Sequence, residues 1–163
     1  MMILVTGGMG YIGSHTVVEL LNLNYEVVVV DNLSNSSILV KDRIKKITNK
    51  DFKFYNVDVT DKESLKKVFE ENKIDSIIHF AAFKAVGESV EKPLEYYENN
   101  LVGALVVFEL MKEFNVNNFV FSSSATVYGK PKSCPIKEDF SLSTTNPYGS
   151  TKLMIEDIMR DLS

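Results

Sequence analysis

Apolar residues come in short runs separated by longer stretches of helical periodicity. The runs are Met2-Ile3-Leu4-Val5, Tyr25 to Val30, Asp51 to Val57, Asp75 to Phe80 and Phe119 to Ser122. Several of them, Tyr25 to Val30 above all, are apolar at consecutive positions rather than alternating. That is the pattern of a strand buried on both faces of a parallel sheet. Between the runs, Thr16 to Leu21 and Lys41 to Thr48 read as helices. Thr60-x-x-Glu63 reads as a capping box opening a helix to about Asn72. A long helix is expected after Pro93, reaching Phe114. Asn146 as N-cap, with Pro147 at the first helical position, opens the last one. Strands alternating with helices predict an α/β fold with a doubly wound parallel sheet.

The first strand leads into Gly7-Gly8-Met9-Gly10-Tyr11-Ile12-Gly13 and then a helix. In that context each glycine has a mechanism. Gly7 lets the chain turn, Gly10 lets backbone approach a pyrophosphate, and Gly13 lets the helix pack closely. The helix N-terminus points free N–H groups at the phosphates. Asp31 closes the second run, 18 residues past Gly13. A carboxylate there takes both hydroxyls of an adenosine ribose and repels a phosphate on it, favouring NAD over NADP. The alternative is that Asp31 only caps the turn Asp31-Asn32-Leu33-Ser34.

Ligands of such sheets bind beyond the carboxyl ends of the strands. Asp31, Asp58, Lys84 and Ser122 to Thr126 all fall there. Ser122-Ser123-Ser124-Ala125-Thr126-Val127-Tyr128-Gly129 is followed by Tyr148-Gly149-Ser150-Thr151-Lys152. Tyr148 and Lys152, four apart on a helix, share a face. An ammonium beside a phenol favours the phenolate, a usable general base. A serine from a strand end can hold the same substrate hydroxyl. Alone, a Tyr–Lys pair at this spacing is common on solvated helix faces. The glycine turn and the serine strand in the same chain favour catalysis. His79 is expected to be satisfied inside the sheet, and His15 to sit at a helix start.

The 163 residues carry a net charge of −4 with both signs interspersed, which argues against a nucleic-acid binder. No apolar run reaches the length of a membrane-spanning helix, and the short apolar start is not that of a signal peptide. The single cysteine, Cys134, can form no internal disulfide, which fits a reducing cytoplasm. No spacing suggests a metal site.

Taken together, Val-Thr-Gly-Gly-Met-Gly-Tyr-Ile-Gly-Ser-His, Val-Asp-Asn-Leu-Ser-Asn-Ser, His-Phe-Ala-Ala-Phe-Lys-Ala-Val-Gly-Glu-Ser-Val, Pro-Leu-Glu-Tyr-Tyr-Glu-Asn-Asn, Phe-Ser-Ser-Ser-Ala-Thr-Val-Tyr-Gly and Pro-Tyr-Gly-Ser-Thr-Lys-Leu-Met span almost the whole chain. They resemble the amino-terminal half of the UDP-hexose 4-epimerases of the extended short-chain dehydrogenase/reductase family, which have a Rossmann fold. The resemblance implies reversible inversion at C4 of UDP-galactose and UDP-glucose through a 4-keto sugar, with NAD as cofactor. It implies NAD contacts at Gly7, Gly10, Tyr11, Ile12, Gly13, Asp31, Asn32, Leu33, Ser34, Asn35, Ser36, Asp58, Val59, Phe80, Ala81, Ala82, Phe83, Lys84 and Asn99. Ser124, Tyr148 and Lys152 would be catalytic and also touch the cofactor. Lys84 and Thr126, with Ser124 and Tyr148, would lie near the sugar. Ala82 departs from an expected glycine. Relatives that dehydrate sugar nucleotides carry an acidic pair after the serine, where this chain has Ala125 and Thr126.

The resembled enzymes exceed 300 residues, about two domains' worth. The final apolar-periodic stretch, Leu153 to Leu162, has no Gly or Asn to close it. The expectation is therefore an NAD-binding domain over 1–163, truncated before the nucleotide-sugar-binding domain and capable by itself of NAD binding only. A bare NAD-binding module, a non-catalytic regulator of the same fold and another UDP-sugar-modifying enzyme of the family are the other readings. The intact Ser124–Tyr148–Lys152 set argues against the regulator. Leu101, Leu105, Phe108 and Met111, and likewise Leu153, Ile155, Ile158 and Met159, recur at helical spacing. They suggest a homodimer built on two such helices per subunit, unless both stripes are simply core.

Overall fold

A computed structural model describes residues 1–163. In chain order the elements are β1 (Met2–Thr6), α1 (Tyr11–Asn22), β2 (Glu26–Val30), α2 (Leu39–Thr48), β3 (Lys53–Tyr55), α3 (Lys62–Glu71), β4 (Ser76–His79), α4 (Val86–Glu91) and α5 (Pro93–Tyr97). A π-helical turn (Glu98–Val102), α6 (Gly103–Phe114), β5 (Asn118–Phe121), a 3-10 turn (Ala125–Tyr128) and α7 (Pro147–Leu162) follow. They group into two compact units. One comprises Met1–Ala81 with Gly103–Ser122, the other Ala82–Val102 with Ser123–Ser163.

The first unit is a five-stranded parallel sheet in the order β3-β2-β1-β4-β5, covered on both faces. The β-branched runs explain it. Side chains alternate faces along a strand, so Leu4, Val28 and Val30 point into one core and Ile3, Val5, Val27 and Val29 into the other. The first core takes Leu65, Val68 and Phe69 of α3 and Val106, Val107 and Leu110 of α6. The second takes Val17 and Leu21 of α1 and Ile44 of α2. The strand order reverses at the centre, where β1 lies between β2 and β4. This is the topological switch point beside which such sheets bind ligands. His79 is buried, with Nδ1 2.7 Å from Thr6 Oγ1, as expected of a satisfied interior residue.

Three local expectations shift. The α3 cap is Asp61, not Thr60: Asp61 Oδ1 accepts from Ser64 N at 3.1 Å, while the Thr60 hydroxyl donates to Asp58 Oδ1 at 2.7 Å. Strand β3 is only three residues long, an edge strand paired to Val28, Val29 and Val30 alone. The long helix expected after Pro93 is instead α5, a π turn and α6, with α4 preceding them. A π turn inserts one extra residue into a helix without disturbing its apolar pattern enough to show in the sequence.

Candidate functional site

In the sheet unit, β1 ends in a turn that only glycine can make. Gly7 has φ +67°, and a Cβ there would lie 2.7 Å from Ala81 N. A Cβ on Gly13 would overlap the Gly7 carbonyl oxygen, so any side chain would push α1 off the turn. Helix α1 begins at Gly10 with no side-chain cap and no acid in its first turn. Its N-terminal dipole is therefore available to an anion. Tyr11 and Ile12 stand exposed on that first turn. His15 Nδ1 lies 2.7 Å from the Tyr11 carbonyl oxygen, and the two rings pack 4.9 Å apart.

Asp31 is buried and caps its own turn. Its Oδ1 accepts from Leu33 N at 2.9 Å and from the Ser36 hydroxyl at 2.9 Å, and its Oδ2 accepts from Met9 N at 3.0 Å. It thus caps its own turn and ties that turn to the glycine loop. A carboxylate accepts about four hydrogen bonds. One ribose hydroxyl can take the open position on Oδ2, and a second would replace Ser36. Leu33 has φ +58°, and Ser34 N donates to Asn32 Oδ1 at 3.0 Å, completing a second local turn. Ser34 and Asn35 are exposed. Asn32 Nδ2 donates to Asp58 Oδ2 at 2.8 Å. Burial raises the Asp58 carboxyl, but hydrogen bonds from Thr60 and Asn32 outweigh it and hold it below the usual carboxylate value. It is an anion at neutral pH whose side chain braces the 31–36 loop. Val59 is buried against the core. Phe80 N donates to the Thr6 carbonyl at 3.0 Å, and Ala81 N to Thr6 Oγ1 at 3.4 Å.

The second unit holds the remaining positions. Asn146 Oδ1 caps α7 by accepting from Gly149 N at 2.8 Å, with Pro147 in the first turn, as the sequence indicated. This start of α7 lies directly on the 3-10 turn, because a Cβ on Gly149 would be 3.1 Å from the Thr126 carbonyl oxygen. Ser124 caps that turn, its Oγ accepting from Thr126 N at 3.2 Å and Thr126 Oγ1 at 2.9 Å. Ser124, Thr126 and Tyr148 are therefore brought onto two elements packed against each other. Tyr148 is half-buried, and Lys152 Nζ lies 5.8 Å from its ring centroid. Lys152 is 3 % exposed, and burial pulls its ammonium down to about 8. It is charged at neutral pH in surroundings that strengthen its field. Lys84 is exposed, Ala82 and Phe83 are half-buried, and Asn99 Nδ2 donates to Asn100 Oδ1 at 2.9 Å.

Four residues of this unit were not singled out in the sequence. Asn100 is buried in the π turn. Its Oδ1 accepts from Phe83 N at 2.8 Å, and its Nδ2 donates to the Phe83 carbonyl at 3.0 Å and to Thr151 Oγ1 at 3.0 Å. Thr151 passes the link on to the Tyr148 carbonyl at 2.8 Å. The Ser123 hydroxyl donates to Glu156, tying the residue before Ser124 to α7. Glu156 lies four past Lys152 and eight past Tyr148, so the shared face was visible in the spacing. The fourth is Tyr96, whose hydroxyl contacts can be seen only in three dimensions. No group of His, Cys, Asp and Glu side chains is arranged to hold a metal ion.

The chain is 61 % identical over 162 residues to a UDP-glucose 4-epimerase of Bacillus subtilis, covering 99 % of this chain and 48 % of that protein. It is 62 % identical over 162 residues to one of Haemophilus influenzae, with the same shares covered. The crystal structure of the Bifidobacterium longum UDP-glucose 4-epimerase in complex with NAD+ and UDP superposes with a TM-score of 0.98 at 53 % identity, covering 99 % of this chain and 49 % of that one. The chain spans about half the length of the curated relatives it matches. Residues 4–163 match the family described as GDP-mannose 4,6 dehydratase, and the chain belongs to that family of Rossmann-fold proteins.

Proposed function

We propose that the whole protein is an NAD-dependent UDP-glucose 4-epimerase, interconverting UDP-galactose and UDP-glucose, and that residues 1–163 form its NAD-binding domain. The observation that carries this is the buried Lys152 ammonium beside Tyr148, on a helix start packed against the Ser124-capped turn. Ala125 and Thr126 favour epimerase over dehydratase, because neither can protonate a leaving hydroxyl.

The residues fit the cofactor. The uncapped α1 N-terminus and the side-chain-free Gly7–Gly13 turn suit a pyrophosphate, and Asp31 suits an unphosphorylated ribose. The 31–36 loop, Asp58, Val59, Phe80 to Lys84 and Asn99 complete the set. When bound, NAD supplies reversible acceptance of hydride from sugar C4. Tyr148 takes the proton of the 4-hydroxyl as hydride leaves C4, and returns it when hydride comes back to the other face. Ser124 holds the same oxygen, Lys152 supplies positive charge to the Tyr148 oxygen, and Lys84 and Thr126 contact the sugar. Carrying UDP-galactose to UDP-glucose with NAD, at the full length of the relatives, is the test. Absence of product rejects the reading.

The Asp31 assignment has its own check. Titration of this chain with both dinucleotides is expected to show NAD binding more tightly, because a ribose phosphate would sit against the carboxylate. Tighter NADP binding would remove Asp31 from the site.

The whole protein is further proposed to be a cytoplasmic homodimer. On the two stripes Leu105 is 43 % exposed, more than a core residue would be, whereas Leu153, Ile158 and Met159 are half-buried and Ile155 is buried. Phe108, by contrast, packs on Phe119 and Met111 on the core, so the stripe on α6 is divided between core and surface. Sedimentation at micromolar concentration showing monomer alone would exclude the dimer. No helix is long and apolar enough to cross a membrane.

A further inference from the structure

Lys84 lies in the short segment before α4, and the backbone on either side of it is held by side chains from one stretch. On one side Asn100 takes both the N–H and the carbonyl of Phe83, at 2.8 and 3.0 Å. On the other, Ala85 N donates to the Tyr96 hydroxyl oxygen at 3.1 Å. That hydroxyl donates in turn to Glu88 Oε2 at 2.8 Å. The Tyr96 ring also packs on the Phe83 ring, centroids 5.5 Å apart. Tyr96 is 1 % exposed, although Lys84, Ala85 and Glu88 around its tip are exposed. Burial and then the Glu88 carboxylate push its phenol up to about 12, so it stays a donor throughout the physiological range.

A buried phenol is satisfied by a single partner. Tyr96 has two, one on the residue following Lys84 and one on α4. Ala85 is the N-cap of α4 and has no polar side chain to cap with, and the Tyr96 hydroxyl oxygen satisfies the Ala85 N–H. The span from Phe83 to Glu88 is thus fixed at three points while the Lys84 side chain remains outside. Fixing a backbone before a ligand arrives removes an ordering cost from binding.

We infer that Tyr96 is a positioning residue for Lys84: its hydroxyl pins the Ala85 end of the loop, so that the Lys84 ammonium is presented in one place to the oxygens of a bound UDP-sugar. The inference rests on the assignment of Lys84 to the sugar under the proposed function. A purely structural role, capping α4, predicts a loss of stability that is independent of Lys84. A positioning role predicts, beyond that, a loss of kcat/KM that vanishes once Lys84 is gone.

The experiment is a double-mutant cycle of Tyr96→Phe and Lys84→Met at the full length of the relatives, with KM and kcat measured for UDP-galactose. Phenylalanine keeps the ring packing and removes only the hydroxyl. Tyr96→Phe is expected to lower kcat/KM roughly tenfold, mostly through KM, and less than twofold in the Lys84→Met background. Losses that multiply, or no loss from Tyr96→Phe alone, overturn the inference. Amide exchange on the 163-residue chain is the second limb and needs no turnover. Protection at Ala85 is expected to fall in Tyr96→Phe while Phe83, held by Asn100, keeps its own; unchanged protection at Ala85 overturns the clamp. Should Tyr96→Phe fold poorly, Glu88→Ala removes the acceptor that orients the hydroxyl, and the same non-additivity with Lys84→Met is expected at smaller size. A parent protein without epimerase turnover rejects the proposed function instead, and the exchange limb then judges the clamp alone.

Discussion

Replacing Tyr148 by phenylalanine in the full-length protein is expected to lower turnover by roughly 10²–10⁴-fold, the usual worth of a positioned general base. NAD should still bind. The expectation follows from where the residue sits. Its helix start is fixed by the Asn146 cap, by the contact of Gly149 with the Thr126 carbonyl and by the Thr151–Asn100 link. None of these uses the Tyr148 hydroxyl, so removing it leaves the helix and the ring in place. What disappears is the phenolic oxygen proposed to take the proton, on the ring beside the buried Lys152 ammonium. The proposed pyrophosphate and ribose contacts belong to Gly7–Gly13 and Asp31, which the substitution does not alter. Turnover is read as kcat, and retention of NAD by titration of the purified variant. Turnover near that of the parent would show that another group takes the proton.

The second large effect concerns the chain of 163 residues by itself. It is expected to bind NAD and to convert UDP-galactose less than one tenth as fast as the protein at the length of its relatives. Epimerisation needs the 4-hydroxyl within hydrogen-bond reach of Tyr148 and C4 facing the cofactor. The hexose must present either face of C4 to the cofactor, so its own hydroxyls cannot hold it tightly, and binding energy from the remote UDP must supply the positioning. The positions assigned to the sugar are Lys84, Ser124, Thr126 and Tyr148, and no position in this chain is assigned to uridine. The chain covers 48 % of the Bacillus subtilis epimerase, whose other half is unmatched. Incubation with NAD and UDP-galactose, followed by analysis for UDP-glucose, checks it. Turnover within tenfold of the longer protein would show that the second half is dispensable.

Much of this could be read in the sequence because the signals are local. Consecutive β-branched residues report burial on both faces, and the parallel strands of the sheet run through Leu4, Val28 and Ile77 as that pattern requires. The glycine turn is dictated by φ at Gly7 and by close approach at Gly13, both properties of residue type. Tyr148 and Lys152 share a face because helix geometry places residues four apart together. The devices that escaped notice depend on contacts distant in sequence. Asn100 grips Phe83 across 17 residues and Thr151 across 51. It does so from a π turn, which apolar periodicity smooths over. Tyr96 reads as one more apolar-face aromatic until its hydroxyl is seen between Ala85 and Glu88. At Asp31 two sequence readings competed; the structure shows the turn cap, and the acceptor position left open on the carboxylate is what the proposed ribose contact would use.

Under the proposed function C4 is inverted by hydride transfer, with Tyr148 handling only the hydroxyl proton. The direct measurement is to supply UDP-galactose deuterated at C4 to the full-length protein with NAD in ordinary water, and to follow C4 by NMR as UDP-glucose forms. A phenolic proton exchanges with solvent, whereas a hydride carried on a cofactor does not. UDP-glucose with the deuterium kept at C4 is the expected product. Washout of the label into solvent at the rate of turnover would mean that C4 loses a proton instead, and would contradict the proposed roles of NAD and Tyr148.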